Sequence, residues 1–208
     1  MKQKFVSNSQ ESTRMFKSDF LEMFSKIHFI TPLIIFLPVV GYFMYKTIFV
    51  FSLSILPIIL LLIAGVFIWS LTEYLMHRFL FHYHPTSAFG QRIHFIFHGV
   101  HHDYPNDAKR LVMAPAVSVP LAVLYYFLFR FILGEANVAP FFSGFVLGYL
   151  FYDMTHYAIH HFSFKNGIWM KIKMHHMIHH YKDDDHGYGV SSKFWDIIFG
   201  SDFKELNK

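Results

Sequence analysis

The sequence predicts an all-α integral membrane protein, with four transmembrane helices beneath a cytosolic, helical, histidine-rich cap. Three observations predict it. Of the 208 residues, 54% are hydrophobic and only 15% are charged, against roughly 25% charged in an average soluble domain. Four apolar segments each come close to the ~20 residues that a helix needs to cross a bilayer. The 16 histidines are grouped along the chain rather than scattered. With 27 phenylalanines and a mean hydropathy of +0.34, a compact water-soluble body would lack the polar surface to cover itself. The chain reads as one membrane-embedded domain over residues 1–208.

Taken in order, residues 1–26 are polar and carry Lys2, Lys4, Arg14, Lys17 and Lys26. No small-residue cleavage pattern follows them, so the first apolar run reads as an uncleaved span. The expected spans cover about 27–45, 50–71, 111–133 and 138–157. Pro32, Pro38, Pro57, Pro115 and Pro120 fall inside them, which membrane helices tolerate where neighbours re-satisfy the freed backbone groups. The connections around Tyr45 to Phe49 and Gly134 to Val138 are short, so successive spans pair as two antiparallel hairpins. Four crossings put both termini and residues 72–110 and 158–208 on one side. Of the 18 Lys and Arg residues, all but Lys46 and Arg130 lie there, and such an excess marks the cytoplasm. These cations form no basic stripe, which excludes a nucleic-acid partner.

The chain has no cysteine, which removes disulfide frameworks, thiolate nucleophiles and cysteine-held iron–sulfur clusters. Any metal must take nitrogen or oxygen. Four histidine groups supply ten candidates: His77 with His82, His98 with His101 and His102, His156 with His160, and His176 with His179 and His180. Residues i, i+3 and i+4 share a helix face, so each His-x-x-His-His can aim at least two imidazoles at one point. His77 and His82, five apart, are about 140° around an ideal helix and need a helix end or two different metals; a break near Phe81 is expected. The groups recur at intervals of 78 or 79 positions, so each hairpin is expected to carry one half-site. A lone histidine at a membrane edge is usually solvated, and His28 fits that reading. His84, His94, His161, His175 and His186 remain open as further ligands or supports, with His94 the strongest competitor.

Ten imidazoles exceed one coordination sphere and match two metals with five ligands apiece. Imidazole suits zinc, copper, iron and nickel alike. Zinc has no redox chemistry and would support hydrolysis rather than attack on an unactivated C–H bond, so iron fits an oxidative role; zinc can replace it in a purified sample. Asp153, three residues before His156, and Glu73, four before His77, are candidates to accept a hydrogen bond from an imidazole and hold its tautomer.

The chain resembles the fatty acid hydroxylase and sterol desaturase superfamily, most of all its fatty acid 2-hydroxylase branch. The resemblance spans about residues 65–202. It rests on His98-Gly99-Val100-His101-His102, Arg110-Leu111-Val112-Met113, Tyr152-Asp153-Met154-Thr155-His156-Tyr157, and Gly187-Tyr188-Gly189-Val190-Ser191-Ser192 leading to Trp195-Asp196. It implies a four-helix anchor, two iron ions held by the ten histidines, and dioxygen and two electrons used to hydroxylate carbon 2 of a long acyl chain. It also implies a tunnel open to the membrane, lined by residues such as Phe151, Tyr152 and Met113. Some members carry a haem domain marked by His-Pro-Gly-Gly; here His84-Pro85 is followed by Thr86 and Ser87, which implies a separate electron-donor protein. A carotenoid or sterol substrate is the alternative within the class. Outside it stand a non-catalytic metal- or haem-binding membrane protein and a histidine-based pH sensor.

Overall fold

The computed structural model of the protein describes residues 5–203, so Lys2 and Lys4 lie outside the described residues. Among those residues all regular structure is helical. A short α1 (Asp19–Phe24) is capped by the Ser18 hydroxyl, which accepts the Leu21 N–H. Next comes α2 (Thr31–Tyr45), with Pro32 in its first turn, where a missing N–H has no partner to lose. It runs on through a π turn at Lys46–Val50. The chain therefore does not reverse at Tyr45 to Phe49; apolar residues keep that stretch helical, and the reversal falls at 51–54, where Ser52 takes a positive φ of 49°.

The second long helix, α3 (Ile55–Leu75), likewise continues through a π turn, Met76–Phe81. Its course past the expected end at 71 carries Glu73 and His77 toward the other histidine-bearing segments. The first of these holds α4 (Ala88–His94), a third π turn at Phe95–Gly99, and α5 (Val100–Asp103). A loop then leads to α6 (Pro115–His161), followed by α7 (Gly167–Tyr181) and α8 (Phe194–Ile198).

Three helices are long and apolar enough to cross a membrane: Thr31–Val50, Ile55–Phe81 and Pro115–His161. The last has 47 residues, and Gly134 inside it has φ 76° and ψ 170°, outside the helical region. That one residue divides α6 into two arms. Ring pairs Tyr125–Phe145 (5.0 Å), Tyr126–Phe142 (5.4 Å) and Phe129–Phe141 (4.9 Å) show the arms lying antiparallel. The connection expected at Gly134 to Val138 is thus a single glycine, able to adopt a backbone geometry that a Cβ would resist.

Packing of α3 on α6 organises the bundle, and it depends on missing side chains. A Cβ on Gly65 would lie 2.0 Å from the Phe141 carbonyl oxygen, and one on Gly144 2.1 Å from that of Leu62. Close backbone approach of this kind is how helices associate where lipid removes the hydrophobic drive. One turn on, Gly148 lies beneath the Trp69 ring, and around this contact Phe36, Phe142, Phe145 and Tyr149 form the core.

The N-terminal segment is strapped across residues 103–110. Asp103 accepts the Val6 and Ser7 N–H groups, Ser12 donates to Asp107, and Ile27 N–H donates to the Lys109 carbonyl. Buried Glu22 accepts from Met15 N–H, Phe16 N–H and the Arg110 guanidinium (2.7 Å). Burial alone would raise its pKa, but these bonds outweigh burial and hold it at about 2.

Gly144→Ala is expected to destabilise the protein by about 1–3 kcal/mol, the usual cost of overpacking, read as a lower thermal midpoint in detergent. An unchanged midpoint would mean that α3 and α6 can part without loss.

Candidate metal centre

The ten candidate histidines come together as two groups of five. In each, one ring nitrogen per residue lies within 4.8 Å of all the others. The first group is His77, His82, His98, His102 and His179; the second is His101, His156, His160, His176 and His180. Each half of the chain therefore gives four histidines to its own group and one to the other. His101 and His179, the middle histidines of the two His-x-x-His-His motifs, are the ones exchanged. Adjacent helical residues point about 100° apart, so the middle and last histidines of each motif must face different centres. The groups adjoin, with His102 stacked on His180 at 4.2 Å between centroids.

Local backbone sets this convergence. His77 and His82, five apart, fit no α-helical face, and the π turn Met76–Phe81 resolves the mismatch. His82 N–H donates to the His77 carbonyl (3.1 Å), an i+5 bond, and both Nε2 atoms reach the same group 3.2 Å apart. The helix ends at Phe81 as expected, with His82 just beyond it. The π turn at Phe95–Gly99 holds His98 at the same centre. Single π turns of this kind concentrate at functional sites.

The geometry of the nitrogens answers whether metal fits. An imidazole nitrogen carries one hydrogen or one in-plane lone pair, yet His176 Nε2 lies 3.0 Å from the Nε2 atoms of His156, His160 and His180 at once. His82 Nε2 lies similarly close to those of His77, His98 and His179 (3.0–3.2 Å). Hydrogen bonds cannot satisfy three such contacts on one atom. A shared cation can: nitrogens about 2.1 Å from one ion, at right angles about it, stand about 3.0 Å apart. The buried Nε2 atoms of His101 and His102, without a hydrogen-bond partner, agree. Burial first, and neighbouring imidazoles second, hold His98, His101, His102, His176 and His180 well below their ordinary pKa of 6.5. Ligands are thus kept in the neutral form that binds metal.

A loop on the far side of the first group fixes two of its rings. His77 Nδ1–H donates to the Tyr188 carbonyl (2.5 Å) and His179 Nδ1–H to the His186 carbonyl (2.7 Å), which turns each Nε2 lone pair toward the centre. The loop is clamped in turn. Glu73, expected on His77, instead accepts the N–H groups of Val190 and Ser191 and the Ser191 hydroxyl. Asp196 accepts the N–H groups of Tyr188 (2.9 Å) and Gly189 (2.8 Å) and the Ser201 hydroxyl. The sequence marked this stretch and Asp196 as part of the family resemblance but assigned neither Asp196 nor the two carbonyls a role at the site; glycines on both sides of Tyr188 were the available signal of a tight turn. Asp153, expected on His156, takes the Met113 N–H at 3.4 Å. The Leu111 carbonyl lies near His156 and the Pro105 carbonyl near His160, neither in a well-formed hydrogen bond.

The other histidines stay outside both groups. His94 faces His84 at 6.0 Å between centroids, His161 packs on Tyr157, and His28 packs on Phe29. His175 sits beside Asp202 (3.4 Å), and His186 Nδ1–H donates to Asp183 (3.0 Å).

A cavity of about 260 Å³ reaches His98 of the first group and His101 and His156 of the second, with a mainly apolar lining that includes Phe81, Met113 and Tyr152. Met113 also borders a smaller void among Phe36, Trp69 and Tyr149. Phe151, expected in the lining, faces outward.

The fold and site thus define a helical, membrane-type protein with paired histidine clusters suited to metal. The chain belongs to the fatty acid hydroxylase family, whose model matches residues 62–201. It is 34% identical to dihydroceramide fatty acyl 2-hydroxylase FAH1 of Arabidopsis thaliana over 93% of this chain and 81% of that protein. It is 41% identical to the ceramide very long chain fatty acid hydroxylase scs7 of Schizosaccharomyces pombe and 38% to a rat fatty acid 2-hydroxylase. Those matches cover 91% and 89% of this chain, which spans only 55% of each of the two relatives. A solved structure of full-length Scs7p, with only the hydroxylase domain visible, superposes with a TM-score of 0.83 at 38% identity, covering 89% of this chain and 70% of the other.

Two predictions follow from the site. In the metal-free protein, the unfolded chain takes up protons below about pH 6.5 that the buried imidazoles refuse. Stability should therefore fall as pH drops from about 7 to 5 and be flat above about 7.5, as read by denaturant titration at each pH. Asp196→Asn should loosen the 186–192 loop and weaken metal binding at one centre by roughly 10-fold, measured as metal retained against a buffered chelator; two centres of unchanged affinity would sink the clamp.

Proposed function

We propose that this chain is a di-iron, oxygen-dependent hydroxylase that places a hydroxyl group on carbon 2 of a long acyl chain carried as a free fatty acid or a ceramide. One observation carries the reading: an apolar cavity ends on imidazoles of both histidine groups. The names of the relatives supply the substrate class. The ten histidines would hold two iron ions, whose redox chemistry splits dioxygen with two electrons and two protons, one oxygen atom entering the C–H bond and the other leaving as water. The electrons come from a donor outside these 208 residues, read here as a separate protein.

The protein's own groups supply binding, exclusion and orientation. Met113, Phe81 and Tyr152 offer an acyl chain an apolar bed and keep bulk water off the reacting carbon. His98, His101 and His156 lie where the cavity meets the two groups, so a chain lying in it presents its end to both. The 186–192 loop holds the rings of His77 and His179 while the substrate exchanges.

We further read residues 1–208 as one domain with four crossings: α2, α3 and the two arms of α6 on either side of Gly134. The histidine cap and both ends then share one face, and the Lys and Arg excess there favours the cytoplasm.

The test is mass spectrometry of total lipids from cells expressing the protein or a His101→Ala/His179→Ala double variant, with an electron donor supplied. Acyl chains are expected to gain one oxygen at carbon 2, with the gain lost in the variant. A sterol or carotenoid gaining the oxygen would replace the acyl substrate, and no oxygenated lipid would overturn the reading.

A further inference from the structure

The cavity over the histidines has its own doorway, and the side of it nearest the N-terminus lies outside the family-matched residues 62–201. Four residues both line the cavity and stand exposed at its rim: Leu21 and Phe24 on α1, Phe97 in the third π turn, and Ala116 in the first turn of α6. Leu21, Phe24 and Phe97 are 49%, 50% and 47% exposed. A doorway to water would be edged with polar groups, whereas the exposed lining residues here are all apolar, with half-buried Ser25 behind them, and adjoin the start of a helix long and apolar enough to cross a membrane. The outer face of α1 continues the apolar surface, with Phe20 66% and Met23 61% exposed, the distribution of a segment lying in the lipid interface.

What fixes α1 there is polar and points inward. Glu22, on its buried side, takes the Met15 and Phe16 N–H groups and pairs with Arg110, itself a lining residue. Arg92, from α4, donates to the Met15 carbonyl. α1 is thus pinned on one edge to the loop that leads into α6 and on another to the helix that leads into His98.

We infer that residues 15–25 complete the substrate site, and that α1 and the Phe95–Gly99 turn are the two sides of a lateral opening through which an acyl chain passes from the bilayer to His98, His101 and His156. The inference rests on the proposed acyl substrate. Leu21, Phe24 and Phe97 contact the chain as it passes, so they govern which acyl chains reach the centre.

The absence of cysteine in the sequence makes a clean experiment available. Leu21→Cys, Phe24→Cys and Phe97→Cys each carry a unique thiol, as does Phe131→Cys, whose position is 90% exposed on the first arm of α6 near Gly134. Each metal-loaded variant, in phosphatidylcholine vesicles supplied with dioxygen and an electron donor, is treated with a bulky maleimide, and its hydroxylation is compared with that of the same variant untreated. Treatment is expected to lower hydroxylation by about tenfold or more at positions 21, 24 and 97 and to leave the ratio near one at 131. A saturating long-chain fatty acid should slow maleimide reaction at the first three positions only. Comparing each variant with itself removes the effect of a poorly folded substitution. Near-unit ratios at 21, 24 and 97 in an enzyme that hydroxylates acyl lipid would place the opening elsewhere. If no lipid is hydroxylated even by the unaltered chain, the proposed function fails, and protection by fatty acid still decides the doorway: its absence overturns the opening.

Discussion

Ten imidazole nitrogens directed at two points inside a largely apolar body form the constraint on which the rest of the structure depends. Each lone pair, removed from water without a partner, carries a desolvation cost of about 1–3 kcal/mol. The close Nε2 contacts around His82 and His176 exceed what hydrogen bonding can satisfy. Cations at the two centres would relieve that cost and so couple metal binding to folding. The departures from regular helix near the histidines serve the same convergence. The π turns at Met76–Phe81 and Phe95–Gly99 shift the phase of the chain, and the loop at 186–192 meets His77 and His179 with carbonyls.

Holding the two histidine groups in place requires a rigid support, and the helices provide it by backbone contact. Gly65 and Gly144 let α3 and α6 approach until backbone meets backbone, so His77 at the end of one helix and His156 and His160 at the end of the other are placed by the same crossing. Apolar side chains left over by this packing face outward, as a lipid solvent allows. Glu73 joins the two levels: it sits in the last turns of α3, and its carboxylate holds Val190 and Ser191 in the loop that orients His77.

The two halves of the chain repeat, and the site uses the repeat by exchange. Each half builds four-fifths of one centre and lends the middle histidine of its His-x-x-His-His motif to the other. Neither centre can close unless both halves are docked. The N-terminal segment adds a third contributor, with Glu22 paired to Arg110, a residue that lines the cavity.

Much of this was legible in the residues themselves. Composition and the lengths of the apolar runs determined a membrane-type helical chain, because lipid tolerates no unpaired backbone and few charges. The absence of cysteine and the spacing of ten histidines determined a nitrogen-rich centre, because helix periodicity places those residues on shared faces. The reversal near Gly134 was legible as a short break between two apolar runs, but its reduction to one residue was not, since that depends on the backbone angles of a single glycine. The partition of the ten histidines was not legible either: π turns change the phase of a helix without a sequence signature, and which centre His101 and His179 reach is decided by how the two halves dock. The same holds for Glu73 and Asp153, whose spacing from His77 and His156 suggested direct contact. Glu73 instead accepts two backbone N–H groups of the loop, and Asp153 meets the Met113 N–H; only the tertiary structure brings those N–H groups within reach.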